Sequence, residues 1–358
     1  MALVRPFRAV RYDEERAGSL GDLVAPPYDV LDDAGRRAHL ERSPHNVVHL
    51  TLPDTEDEAA RTWRSWLDEG ILVRDDAEAF WLLEQDYVGP DGVARTRRGI
   101  VASLRVEPYE RGVVLPHERT HRGPKEGRLR LLRAVGAQLE PIFLLYEGLP
   151  PVSQGEGPPA LDVDGTRLWR MAAVGLEEHF ESLQLLIADG HHRYETALAF
   201  HEEQGTEESA WMLVVLVSTS DPGLTIFPTH RVFDRLPRHA WVEGRDVDPE
   251  RALEELAAIP YDRAATVQVT RSGAFVMEEP GLLDVELVDR MGHDGISYTP
   301  DADEALRRVR SGEAEAAYLM RPTRIEDVFA VAKRGGVMPQ KSTYFYPKLL
   351  SGLLFHPL

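Results

Sequence analysis

Cysteine is absent from all 358 positions. That excludes disulfides, thiolate nucleophiles, iron–sulfur clusters and cysteine-zinc sites together. Positive charge is in short supply: 41 Lys and Arg face 60 Asp and Glu, a net charge of −19. Nucleic-acid phosphates repel such a surface, so no nucleic-acid partner is expected. Lysine is scarcer still, confined to Lys125, Lys333, Lys341 and Lys348. No apolar run is long enough to cross a bilayer, and no membrane association is expected. The opening Met1-Ala2-Leu3-Val4-Arg5-Pro6-Phe7-Arg8 lacks the apolar core of a secretory leader. A soluble, cytoplasmic protein is the expectation. Repeats of solenoid or propeller period are missing. So are the Walker pattern, the Gly-x-Ser-x-Gly elbow and a Gly-x-Gly-x-x-Gly after a strand, which sets aside P-loop, α/β-hydrolase and dinucleotide-fold readings.

The most informative stretch runs from Leu185 to Leu198. Leu185-Leu186-Ile187-Ala188 is a short apolar run closed by Asp189-Gly190, the pattern of a buried strand. From His192 the apolar residues Tyr194, Ala197, Leu198 and Ala199 recur at helical spacing, predicting a helix to Gln204. A helix start carries unpaired N–H groups and partial positive charge. Two imidazoles and a guanidinium in that first turn, at His191, His192 and Arg193, point to an anion site, most naturally for phosphate. The alternative is an ordinary helix start with solvated side chains.

Strands and helices alternate along the chain, which predicts a mixed α/β (α+β) fold. Expected strands are Asn46–Leu52, Phe80–Tyr87, Ala94–Val106, Pro141–Tyr146, Trp211–Val217 and an interrupted Leu224–Phe233. Gly89-Pro90-Asp91-Gly92 marks a hairpin, and Asp57–Leu67 a helix with Trp63 and Trp66 on one face. The strand, helix and strand from Leu185 to Val217 suit a parallel crossover. The Pro/Gly-rich run 148–159 reads as an exposed insertion. Beyond Pro237 short elements alternate, and two domains are expected, 1–237 and 238–358, the last segment returning to the site.

Three further segments are dense in polar, Gly and Pro residues. Val24 to Val30 contains tandem prolines that would present Tyr28 and Asp29 rigidly. His117 to Arg128 reads as a loop holding His117, Glu118, Arg122 and Lys125. Met338 to Tyr346 carries Lys341, and the Pro228-Thr229-His230-Arg231 run supplies His230. Adjacent histidines on a regular helix cannot share one metal, so a zinc site would need His117, His121 or His230 to meet His191 or His192 across the fold. No metal ligand is assigned among these residues.

These segments carry a resemblance. Val24–Val30, His117–Thr120, Gly123–Glu126, Asp189–Ala197, Pro228–Arg231 and Met338–Lys348, in this order, resemble a prokaryotic family catalogued as a domain of unknown function, DUF1015, over nearly the whole chain. Separately, Asp189-Gly190-His191-His192-Arg193 resembles the Gly-x-His-Arg turn of the ParB/sulfiredoxin superfamily, which includes free serine kinases. The second resemblance implies a ParB-like nucleotide-binding core with inserted segments and a second C-terminal α/β domain. It implies nucleotide phosphates on Gly190, His191, His192 and Arg193. The lack of cysteine excludes sulfiredoxin chemistry. The acidic charge and the lack of an evident helix-turn-helix disfavour a partition protein.

The resulting expectation is a nucleotide-dependent phosphotransferase, a small-molecule kinase using ATP or ADP with Mg2+ on a hydroxyl metabolite such as serine. Phosphoryl transfer calls for positioning and charge neutralisation above all. Glu118, Asp189 and His191 are the candidate catalytic groups. Gly190, His192, Arg193, Lys125, Arg122 and Lys341 are candidates for phosphate. Tyr28, Asp29, His117 and His230 are candidates for the substrate. The other readings are a nucleotide or phosphometabolite sensor without turnover, and a histidine-dependent phosphate-ester hydrolase.

Overall fold

A computed structural model describes residues 1–118, 122–172, 175–236, 244–281 and 283–358, without the side chains of 122–124. Its centre is a mixed sheet, nine-stranded among the described residues. The order is Val114–Leu115, Leu185–Asp189, Ile142–Tyr146, Trp211–Ser218, Ala94–Arg105, Phe80–Val88, Thr166–Met171 and Leu161–Val163, with Val4–Arg5 added beside Ala94–Arg105. The central strands read as unbroken apolar runs because both faces are covered. Leu186 and Leu145 point into one core, Leu185, Ile187 and Leu144 into the other. Helix Glu56–Asp68 buries Trp63 and Trp66 in the first core, and helix His191–Gln204 buries Tyr194 and Ala197 in the second.

A second, six-stranded antiparallel sheet follows the order Arg245–Val247, Gly273–Pro280, Arg263–Thr270, Ala316–Leu319, His230–Phe233, Ile296–Thr299. The chain then returns. Helix Ile325–Lys333 buries Val328 and Phe329 in the first core of the main sheet. Tyr344–Tyr346 pairs with Thr225–Phe227, and His356–Pro357 with Ala137–Gln138.

Four expectations are corrected. Asn46–Leu52 holds one helical turn, Val48–Thr51, not a strand, and the Asn46 side-chain oxygen accepts from the Val48 amide at its start. A short apolar run has no period of its own, and a local side-chain bond to the backbone competes with strand pairing there. The strand–helix–strand from Leu185 is not a parallel crossover. Ile142–Tyr146 inserts between its two strands, antiparallel to the first and parallel to the second. The segment 117–128 is not all loop. Helix Arg122–Val135 begins within it, because Pro124 lies in the first turn, where no N–H is needed. Leu224–Phe233 is two strands in two sheets, broken at Pro228-Thr229.

Candidate functional site

The site strand Leu185–Asp189 ends where the site helix His191–Gln204 begins, with one residue between. That residue, Gly190, has φ +97°, and a Cβ there would lie 2.6 Å from Ile142 Cγ2. Only glycine makes this turn without strain. No side chain caps the helix, and its first intrahelical bond is Tyr194 N–H to the Gly190 carbonyl at 3.0 Å. The amides of His191, His192 and Arg193 therefore open the helix with positive polarity.

This turn forms one wall of a cavity of about 330 Å³. Asp189, Gly190, His191, His192 and Arg193 line it. Tyr28 and Asp29 line it from the tandem-proline loop, Glu118 from the segment after Val114–Leu115, and Lys341 from the returning chain. Thus nine of the thirteen expected site residues, scattered over more than 300 positions of sequence, meet at one place.

Of the other four, His117, His230 and Lys125 do not line it. His117 is fully buried just behind, its ring 4.7 Å from that of His191. His230 is also buried, its Nδ1 accepting from the Met320 amide at 3.0 Å. Lys125 projects from the helix Arg122–Val135 and donates to Glu195 at 3.2 Å. The Arg122 side chain lies outside the described residues, as does His121. Reasoning from sequence missed Lys348, Thr343, Tyr344, Thr229, Tyr298 and Thr299, which also line the cavity. Lys348 had a signal, being one of only four lysines. Tyr298 and Thr299 had none, since they come from a strand of the second sheet with no unusual composition.

Charge in the cavity is arranged in pairs. Asp189 accepts from Lys348 through one oxygen and from Arg193 Nη2 through the other, at 2.8 Å for the latter. Burial alone would raise the Asp189 pKa, but Lys348 and Arg193 outweigh it and hold the carboxyl below its ordinary value. Asp189 is an anion at neutral pH, and a weak base. Arg193 is engaged a second time, Nη1 donating to the Pro141 carbonyl at 2.6 Å. The fork expected to face a ligand thus has two protein partners. The Lys341 ammonium makes no ion pair among the described residues.

His191 and His117 are neutral. Burial pushes the His191 pKa well down, helped by neighbouring His117. Its Nε2 accepts from the His117 amide at 3.3 Å, so its proton sits on Nδ1. Burial lowers His117 as well. His117 Nδ1 donates to the Ile187 carbonyl at 2.6 Å, leaving Nε2 to accept from Thr343 Oγ1 at 3.0 Å. His117 thereby ties the site strand to the returning chain. The nearer Glu118 oxygen lies 3.8 Å from His117 Nε2. Among the described residues no group of three or more His, Asp or Glu is placed to hold a metal ion.

Fold and site together define a mixed α/β protein with an uncapped helix start opening on a lysine-bearing cavity. The chain belongs to the family described as "Protein of unknown function (DUF1015)", which matches residues 4–243. No curated protein matches it. Several solved structures are similar in part, among them the following three. A free serine kinase in complex with AMP is 18% identical, with 65% of this chain and 83% of that one covered and a TM-score of 0.41. A conserved hypothetical protein from Pyrococcus furiosus is 17% identical, with 65% and 87% covered and a TM-score of 0.38. SbnI with a C-terminal truncation, from Staphylococcus aureus, is 12% identical, with 69% and 85% covered and a TM-score of 0.37. No helix among the described residues is long and apolar enough to cross a membrane.

Proposed function

We propose that the cavity holds the phosphates of a nucleotide and that the protein is a nucleotide-dependent phosphotransferase acting on a small hydroxyl-bearing metabolite. The observation that carries the reading is the helix start at Gly190: three first-turn residues whose amides no side chain caps line the same cavity as Lys341, whose ammonium makes no ion pair among the described residues. Aligned amides and a mobile ammonium are what phosphate oxygens need. The nucleotide itself is suggested by the Gly-x-His-Arg resemblance of this turn.

In this reading the first-turn amides and Lys341 bind phosphate. The Nδ1–H of neutral His191 is a donor that adds no charge. Glu118 orients the acceptor hydroxyl and takes its proton, a task for which Asp189 is unsuited because Lys348 and Arg193 stabilise its anion. Tyr28 and Asp29 contact the substrate at the rim. Mg2+ would be held mainly by the ligand's own phosphates and water with Asp29 as the protein carboxylate, leaving Glu118 as the base. Bound there, Mg2+ would offset charge on the phosphates.

The test is a thermal-shift series with ATP, ADP and AMP, with and without Mg2+, followed by phosphorus NMR of nucleotide turnover over pooled hydroxy metabolites. Nucleotide binding should raise the melting temperature by mass action. Glu118→Gln should keep that shift and lower turnover at least about a hundredfold, the usual scale of a lost general base. Binding without turnover in the unaltered protein would favour the sensor reading. Absence of any shift would overturn the nucleotide assignment.

A further inference from the structure

Two arginines are buried here without a carboxylate partner among the described residues. Arg97, on the central strand Ala94–Arg105, is 1% exposed, and Arg231, on the second-sheet strand His230–Phe233, is 3% exposed. Removing a guanidinium from water without a counter-charge is costly. Burial lowers both pKa values to about 10, which leaves both groups charged at neutral pH.

Both reach the same stretch of chain. Arg231 donates to the Thr229 carbonyl at 2.5 Å and to the Lys341 carbonyl at 3.2 Å. Arg97 donates to the Gln85 side chain at 2.5 Å and to the Pro347 carbonyl at 2.7 Å. Lys341 stands at φ +55°, a left-handed conformation that a side-chain-bearing residue adopts at a cost. Its turn is fixed further by Thr323 Oγ1 donating to the Ser342 carbonyl at 2.7 Å. Pro347 directly precedes Lys348, whose ammonium pairs with Asp189.

We propose that Arg97 and Arg231 are positioning residues for a two-lysine clamp on a nucleoside di- or triphosphate, one arginine from each sheet fixing the backbone from which one lysine enters the cavity. This rests on the phosphate reading above. Carboxylates would anchor the segment equally well but would cancel the charge. Carbonyl acceptors leave two guanidinium charges behind a cavity meant for an anion, in a protein whose net charge is −19. On binding, the phosphates compete with Asp189 for Lys348 and meet Lys341 directly.

The experiment has two arms. Calorimetry with ADP and ATP compares Arg231→Gln, Lys341→Ala and their double variant, and likewise Arg97→Gln, Lys348→Ala and theirs. Each single change should weaken binding about tenfold, the scale of one charge-assisted hydrogen bond. Each double variant should lose far less than the sum of its two single losses, because once the lysine is gone only the arginine's distant charge is left to remove. Additive losses would overturn the proposal, because a merely structural arginine acts independently of the lysine. In the second arm the lysines of the ligand-free protein are methylated with carbon-13, giving four assignable signals. Arg231→Lys should move the Lys341 signal and Arg97→Lys that of Lys348, each variant adding one signal from its new lysine, while Lys125 and Lys333 stay in place. Unmoved Lys341 and Lys348 signals, or four signals moving together, would overturn the proposal even if the glutamine variants fail to fold. If the unaltered protein binds neither nucleotide, the phosphate reading fails, while the methyl signals still decide whether the arginines position the lysines.

Discussion

Arg193 shows how a residue's partners decide its part in a site. Its guanidinium bonds Asp189 and the Pro141 carbonyl, locking the helix start to the strand Ile142–Tyr146 and its approach. Arg193→Lys keeps the charge but cannot reach both acceptors with the same planar fork. It should lower stability by about 1–3 kcal/mol, the range for hydrogen bonds to charged groups, seen as a fall in urea midpoint. Asp189 sets a second expectation. Its pKa is held below 3.8 in the folded protein, so its stabilising contribution is present above that value and is lost as pH falls through the folded pKa. Urea midpoints of Asp189→Asn should therefore fall less steeply than those of the unaltered protein below about pH 4. An equally steep fall would show that the pair with Lys348 and Arg193 contributes nothing. At this scale much of the candidate site was legible. Histidines, arginine and glycine in one turn mark a helix start, and rare lysines mark themselves. What was not legible is pairing. Nothing in the spacing of Asp189 and Lys348, 159 positions apart, announces their contact.

At the scale of the element, the turn at Gly190 is the most demanding local structure at the site. Its positive φ and the 2.6 Å approach to Ile142 Cγ2 both exclude a side chain. Gly190→Ala should destabilise the protein by more than about 1 kcal/mol and shift the first helical turn, with weaker nucleotide binding. An alanine variant of unchanged melting temperature would show that the turn relaxes freely. The sequence made this element plain because strand and helix differ in period and the glycine separates them. It was less plain at Asn46–Leu52, where an Asn46 bond to the Val48 amide stands at the start of a single helical turn, and at Arg122–Val135, where Gly123-Pro124 reads as a break but lies within a first turn. Strand partners were not legible either. The direction of Leu185–Asp189 relative to Trp211–Ser218 depends on Ile142–Tyr146 entering between them, which neither strand records.

The whole molecule has a pH dependence of its own. His117, His191, His230 and His356 are buried and neutral, and burial lowers each of their pKa values, to about 4 for His230 and His356. The unfolded chain takes up these protons near 6.5 and the folded one does not, so stability is full above that value and declines as pH falls toward 4. For His230 and His356 the loss near pH 5 is about 2 kcal/mol each. Urea unfolding between pH 7 and 5 should show the decline, and His230→Gln should flatten it. A midpoint constant over that range would mean that these histidines are protonated in the fold. At this scale the mixed α/β class followed from alternating elements, and the change of texture near Pro237 falls just after His230–Phe233, which already belongs to the second sheet. The order of strands and the wall that Tyr298 and Thr299 supply depend on contacts between distant segments. The returning segment has one more consequence, in time. Lys341, Thr343, Tyr344 and Lys348 leave the ribosome after every other residue of the cavity wall. The main sheet's strands up to Trp211–Ser218 are all synthesised before them. A nascent chain can therefore gather its core while the cavity still lacks a side, and the proposed nucleotide could reward folding only once translation has passed Lys348.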